Sequence, residues 1–220
     1  MNNYKFTVND LRMEISFQSF DELRQILLFY QQNNIYKINI PCKNKLKKDL
    51  LLRSIQISRH EFPSINIIPH FSIQHQFRKN KLNTLEYLDY FIKSVQELGC
   101  NEVLLISGSQ KKKTIDSLVA LSHISLNSNE SRSDLSIGVA FNPYLPGNLF
   151  QDEISRLKLK INNSCVTSIW IQFGTDYKLL KERIEILQKI ISKSNIDNFN
   201  INLYGSILIP SKQFISRFRF

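Results

Sequence analysis

Short apolar runs, each followed by a pattern of helical period, recur along this chain and leave few folds open to it. The clearest is Ile67-Ile68-Pro69-His70-Phe71-Ser72-Ile73, which carries an imidazole near its end and opens into Gln74-His75-Gln76. An apolar run this short, bounded by turn signals, reads as a strand buried on both faces. In repeated strand–helix architectures the ligand-reading groups gather at the carboxyl ends of strands. His70 therefore stands where a ligand would be read. The plainer alternative is a structural histidine bonded to neighbouring backbone.

The same unit can be followed in both directions. Residues 13–17 alternate as a strand, and Ser19 with Glu22 three residues later makes a capping box for a helix carried by Leu23, Ile26, Leu27 and Tyr30. A second strand at 35–40 stops at Pro41, and a helix over 49–60 is broken by Pro63. The third strand spans 65–70, and residues 78–83 read as a polar loop. Thr84 reads as the cap of a helix with Leu85, Leu88, Phe91, Ile92 and Val95, closed by Gly99. Strands at 102–106, 135–141, 166–173 and 199–204 then alternate with helices at 114–124, 150–161 and 176–192. Residues 125–133 are rich in Ser and Asn and read as a loop, and Pro210-Ser211 opens a seventh helix.

Seven βα units in one domain over residues 1–220 point to parallel strands with right-handed helical crossovers. No Gly-x-Gly-x-x-Gly follows the first strand, so the dinucleotide-binding open sheet is disfavoured. Regular spacing and a strand count near eight favour an α/β fold of the (β/α)8 TIM-barrel type, its eighth unit missing or replaced. Such a barrel has two unpaired edges. A strand at residues 4–8 or a second subunit, making a homo-oligomer, would cover them.

Composition narrows the partners. The net charge is +10, with local basic runs only at 43–48 and 111–113. Neither run is interleaved with aromatics and no nucleic-acid motif occurs, so solvated surface is favoured over a nucleic-acid partner. No apolar run reaches membrane-spanning length, and the first residues lack the apolar centre of a signal peptide. Cys42, Cys100 and Cys165 are isolated and odd in number. That spacing suits no metal site or disulfide framework and fits a reducing, cytoplasmic setting.

Four strings at strand ends carry a resemblance. They are Ile68-Pro69-His70-Phe71-Ser72, Leu105-Ile106-Ser107-Gly108-Ser109, Leu157-Lys158-Leu159-Lys160-Ile161 with Ile171-Gln172-Phe173, and Gly205-Ser206-Ile207-Leu208-Ile209-Pro210-Ser211. In order and spacing they resemble the methylenetetrahydrofolate reductase family, a flavin-dependent barrel of one-carbon and methionine metabolism. The resemblance implies FAD at the barrel mouth, reduced by NADH or NADPH, and hydride transfer to 5,10-methylenetetrahydrofolate. It implies Glu14 as the proton donor to the folate and Gln172 as a substrate contact. His70, Ser107, Gly108, Ser109, Asn142 and Lys160 fall at its flavin-binding positions. The family's Arg-Gly-Asp is replaced by Ser107-Gly108-Ser109, and its Thr-Tyr pair by Pro41-Cys42. These departures remove charge and hydroxyl groups from the expected flavin contacts. They leave a second expectation, a non-catalytic barrel serving as a ligand-binding or regulatory module.

Overall fold

The structure, a computed structural model, describes residues 11–42, 48–108, 115–127, 135–194 and 201–207. Its elements run β1 (Met13–Glu14), α1 (Phe20–Gln32), β2 (Lys37–Ile40), α2 (Lys48–Glu61), β3 (Asn66–Ser72), α3 (Ile73–Gln76), α4 (Lys81–Glu97), β4 (Glu102–Ile106), α5 (Ser117–Asn127), β5 (Ser136–Phe141), α6 (Gly147–Ile161), β6 (Val166–Ile171), α7 (Tyr177–Lys193) and β7 (Asn202–Tyr204). The strands lie in one sheet in sequence order, and every neighbouring pair is parallel. An order that never reverses separates this sheet from a doubly wound one.

The sheet is curled. Flat parallel strands stand about 4.8 Å apart, so β3 and β6 would be separated by roughly 14 Å. Yet the rings of His70 on β3 and Trp170 on β6 have centroids 6.4 Å apart. Ser168 on β6 reaches Glu102 on β4, and the guanidinium of Arg12, just ahead of β1, lies 6.0 Å from the Tyr204 ring of β7. These contacts curl the wall into the open half of a barrel, of the type that the repeated units predict.

Alternation along each strand divides the side chains. Ile67, Phe71, Val103, Leu105, Ile137, Val139, Phe141 and Ile169 belong to the core between sheet and helices. Phe71 packs 5.2 Å from Phe91 of α4, and Phe141 packs 6.3 Å from Phe150 of α6. Burying each such ring contributes about 1.5–3 kcal/mol. The opposite face carries Ile68, His70, Leu104, Gly138, Ser168 and Trp170 toward the barrel interior. Pro69 sits mid-strand without a backbone donor. The strand tolerates it because residues 66–69 pair with β2 and residues 70–72 with β4, so Pro69 lies where pairing changes sides.

Local signals are partly as the sequence predicts. The Ser19 hydroxyl accepts from the Glu22 amide at 3.1 Å, and the Glu22 carboxylate accepts from the Gln18 amide at 2.6 Å. Gly99 adopts φ +77°, the left-handed conformation that ends a helix. Several boundaries differ. β1 covers two residues, β3 runs to Ser72 and passes directly into α3, and α4 begins at Lys81, inside the loop expected at 78–83. Ile73 and Gln76 of that turn are buried, so the polar string Gln74-His75-Gln76 hides a packed helical face. Asn80, not Thr84, caps α4, its Oδ1 accepting from the Asn83 amide at 2.9 Å. Thr84 lies inside the first turn, donating to the Asn80 carbonyl and accepting from the Arg78 amide. α5 extends through residues expected to be loop, α6 begins at Gly147, and β6 ends before Gln172. The proposed strand at 4–8 and the helix from Pro210 lie outside the described residues.

Candidate functional site

Three adjacent strands bring polar groups to one interior face. Glu14 pairs in register with Asn39, and Asn39 with Ile68, two residues before His70. Ile15, Ile38, Ile40 and Phe71 enter the helix-side core, so alternation leaves Glu14, Asn39 and His70 facing the barrel interior. Glu14 is exposed, whereas Asn39 and His70 are 5% and 4% exposed. The enclosure expected for a deep Glu14 carboxyl is absent. The Asn39 Oδ1 is buried without a hydrogen-bond partner among the described residues. An unsatisfied buried acceptor costs about 1–3 kcal/mol, so this oxygen calls for a donor.

The facing wall is aromatic. Trp170 stacks on Tyr204 with centroids 4.1 Å apart and planes at 23°, and His70 meets the indole edge-on at 67°. The indole Nε1 donates to Ser168 Oγ at 2.9 Å, and that hydroxyl donates to Glu102 Oε1 at 2.5 Å. Gly138 makes room for the ring, because a Cβ there would lie 2.5 Å from Nε1. Below this relay Arg12 donates to the Ile38 carbonyl at 2.9 Å and to Asn66 Oδ1 at 2.5 Å. Burial lowers the Arg12 pKa, against the opposing pull of Tyr204 and Glu102. Burial and then Glu102 raise that of the Tyr204 phenol. The sequence pattern holds one clue to this wall: Ser168 and Trp170 share a face of one strand.

The other expected site residues have different local roles. Ser107 Oγ accepts from the Ser117 amide at 3.1 Å, tying β4 to α5. Gly108 has φ +83°, and a Cβ there would meet the Gln74 side chain at 2.4 Å. Asn142 Oδ1 accepts from the Tyr144 amide at 3.0 Å, shaping the turn after β5. Lys160 is 5% exposed and donates to the Ala140 carbonyl at 3.0 Å, with Glu153 at 3.9 Å. It joins α6 to β5 between helix and sheet, and burial lowers its pKa. Gln172 lies past the end of β6, its amide donating to the Phe141 carbonyl at 2.8 Å and its side chain exposed. Ser109 lies outside the described residues. Among the described residues no three His, Cys, Asp or Glu side chains gather as metal ligands, and no helix is long and apolar enough to cross a membrane.

Strand order, curl and interior face together define a TIM-barrel-like α/β protein. Solved structures agree. The probable 3-DHS dehydratase AsbF of Bacillus anthracis, involved in petrobactin synthesis, superposes with TM-score 0.54 at 11% identity, over 94% of this chain and 76% of that one. A xylose isomerase domain containing protein of Salmonella typhimurium gives 0.51 at 10% identity, over 97% and 93%. Likeness at such identity shows the fold alone. No family model matches the sequence, and no curated relative is found for it.

These findings overturn the methylenetetrahydrofolate reductase resemblance. The structural relatives are dehydratase and isomerase-domain barrels, not flavin-dependent folate reductases, and no sequence model supports the four strings. The expected reduction of 5,10-methylenetetrahydrofolate is corrected with it. FAD and the nicotinamide reductant rested on that resemblance and lose its support. Of the residues assigned to the flavin, Lys160 bonds between helix and sheet, Asn142 bonds within a turn, and Gln74 lies close over Gly108.

Proposed function

We propose that this barrel binds a small hydroxyl-rich metabolite at the carboxyl-terminal half of its interior and moves protons on it. The observation that carries this is the convergence of Glu14, Asn39 and His70 on the interior face of three adjacent strands. A carboxylate and an imidazole on one face are the groups that general acid–base catalysis uses, typically for a factor of about 10²–10⁴. The Asn39 oxygen, which has no partner among the described residues, is the acceptor for a ligand hydroxyl. Glu14 is reachable from solvent, and a ligand seated over it would exclude that solvent. The fold relatives named as a dehydratase and an isomerase-domain protein lend weight, because both kinds of reaction shift protons beside oxygen-bearing carbons.

The test is proton exchange. The protein is incubated in heavy water with a panel of aldoses, ketoses and hydroxy acids, and deuterium incorporation beside the carbonyl or carboxyl group is followed by NMR. Exchange on at least one member that falls about 100-fold in Glu14→Gln and in His70→Ala supports the reading. No exchange with any member, or exchange unchanged in both variants, refutes it.

A further inference from the structure

The curled sheet has a seam. β1 and β7 are its outer strands, and among the described residues no backbone pairing joins them. They are also its shortest, at two and three residues. An edge strand forgoes the hydrogen bonds of its open side, and elements held this weakly are the first to open. Here side chains span the seam instead. The guanidinium of Arg12, just ahead of β1, lies 6.0 Å from the centroid of the Tyr204 ring on β7. Both of its terminal nitrogens are anchored on other strands, Nη1 donating to the Ile38 carbonyl of β2 at 2.9 Å and Nη2 to Asn66 Oδ1 of β3 at 2.5 Å. Tyr204 in turn stacks on Trp170 of β6 with centroids 4.1 Å apart. One ring of β7 thus meets a cation from the far edge of the sheet and the indole of the next strand.

We infer that Arg12 and Tyr204 form a clasp across the seam, and that its release lets β7 part from the sheet and opens the barrel interior from the side. The two halves of the clasp are unequally held. Arg12 is tied to β2 and β3, whose Ile38 and Ile67 are buried in the core. On β7, Asn202 and Leu203 are exposed and Tyr204 is half-buried. Beyond it Ser206 Oγ donates to the Ile171 carbonyl at 2.6 Å, a second tie to β6. When the seam opens, β7 is therefore the part that leaves, and it takes its ring away from Trp170. A cation over a ring attracts it most strongly where water is excluded. Water that enters the opening seam weakens the clasp further, so opening is all-or-none. Arginine suits the role because its planar fork serves two acceptors and a ring face at once, which an ammonium group cannot. The clasp holds whatever chemistry the interior performs, and its failure leaves the acid–base proposal standing.

Hydrogen exchange of the full chain, read by mass spectrometry on peptides carrying β3 and β7, measures the opening. Acrylamide, a small neutral quencher, measures access to Trp170, the single tryptophan of the chain. In the parent, β7 amides are expected to exchange through local opening, faster than those of β3 by roughly tenfold or more. Arg12→Lys and Tyr204→Leu should each speed β7 exchange about tenfold and raise the quenching of Trp170. Tyr204→Leu leaves the Arg12 bonds to Ile38 and Asn66 in place, so β3 should keep its parent rate, and this variant carries the test if Arg12→Lys does not fold. The double variant should exchange at β7 no faster than the faster single one, because either change alone releases the clasp. Loss of stacking on Trp170 alone would instead make the two effects add. Exchange of β7 and β3 together in one global event, a β7 rate unmoved by Tyr204→Leu, or additive effects in the double variant overturns the inference.

Discussion

Gly138→Ala is the sharpest test of how the interior is built. The glycine is buried on β5, and no left-handed backbone conformation is required of it, so an alanine meets steric resistance only. Its Cβ would stand 2.5 Å from Trp170 Nε1, 2.8 Å from Ser168 Oγ and 2.9 Å from Trp170 Cδ1. Carbon and nitrogen in van der Waals contact need about 3.5 Å, so the indole must retreat by roughly an ångström. Overpacking of this kind costs about 1–3 kcal/mol. The displaced ring also loses its hydrogen bond to Ser168, about 0.5–1.5 kcal/mol. The alanine stiffens the unfolded chain and returns about 0.4–1 kcal/mol. The net loss is about 2 kcal/mol, or roughly 4–8 °C in melting temperature for a chain of this length. Thermal unfolding followed by circular dichroism measures it, and Trp170 emission is expected to shift to the red. A melting temperature within about 1 °C of the parent, with unchanged emission, would refute the packing of Trp170 against β5.

Three further outcomes follow from other parts of the wall. Asp116 Oδ1 accepts from the Leu118 and Val119 amides at the start of α5, and Oδ2 pairs with Arg156 at 2.9 Å. Burial opposes its ionisation, but these donors prevail and hold its pKa below the ordinary 3.8. Its stabilisation is therefore full above that value and lost as pH falls through the lower folded one. Asp116→Ala should cost about 0.5–2 kcal/mol at neutral pH by urea unfolding and lack this acid-side loss. Burial first of all, with Glu153 opposing, lowers the Lys160 pKa from 10.5, so the folded chain holds that proton less firmly than the unfolded one. Stability should rise as pH climbs toward 10.5, and Lys160→Met should remove the rise at a cost of about 1–3 kcal/mol at neutral pH, because the Ala140 carbonyl is left without its donor. Burial raises the Cys100 and Cys165 thiols to about 11. Both should resist iodoacetamide in the folded chain at neutral pH and react on unfolding, as mass spectrometry would show; rapid native labelling of either would contradict its placement.

The sequence by itself determined what acts over a few residues. Apolar period marked the strands and helices, Ser19 with Glu22 built a cap, and Gly99 supplied the left-handed turn, because each signal is a local contact between near neighbours. The repeated order of units was enough for a barrel of parallel strands. Motif strings were a poorer guide: Pro69 lies where the pairing of β3 changes sides, Ser107 accepts from the Ser117 amide, and Gly108 takes a left-handed turn, all local backbone roles. Helix starts also misled where a second capping residue lay close by, as Asn80 did ahead of Thr84. Only the tertiary structure decided the interior. Curling the sheet set Trp170 against His70 from three strands away and laid Tyr204 over Trp170. It left the Asn39 oxygen without a partner among the described residues and made Lys160, an expected flavin contact, a buried link between α6 and β5. Such contacts depend on curvature, register and which face of a strand turns inward, and no short window of sequence carries those quantities.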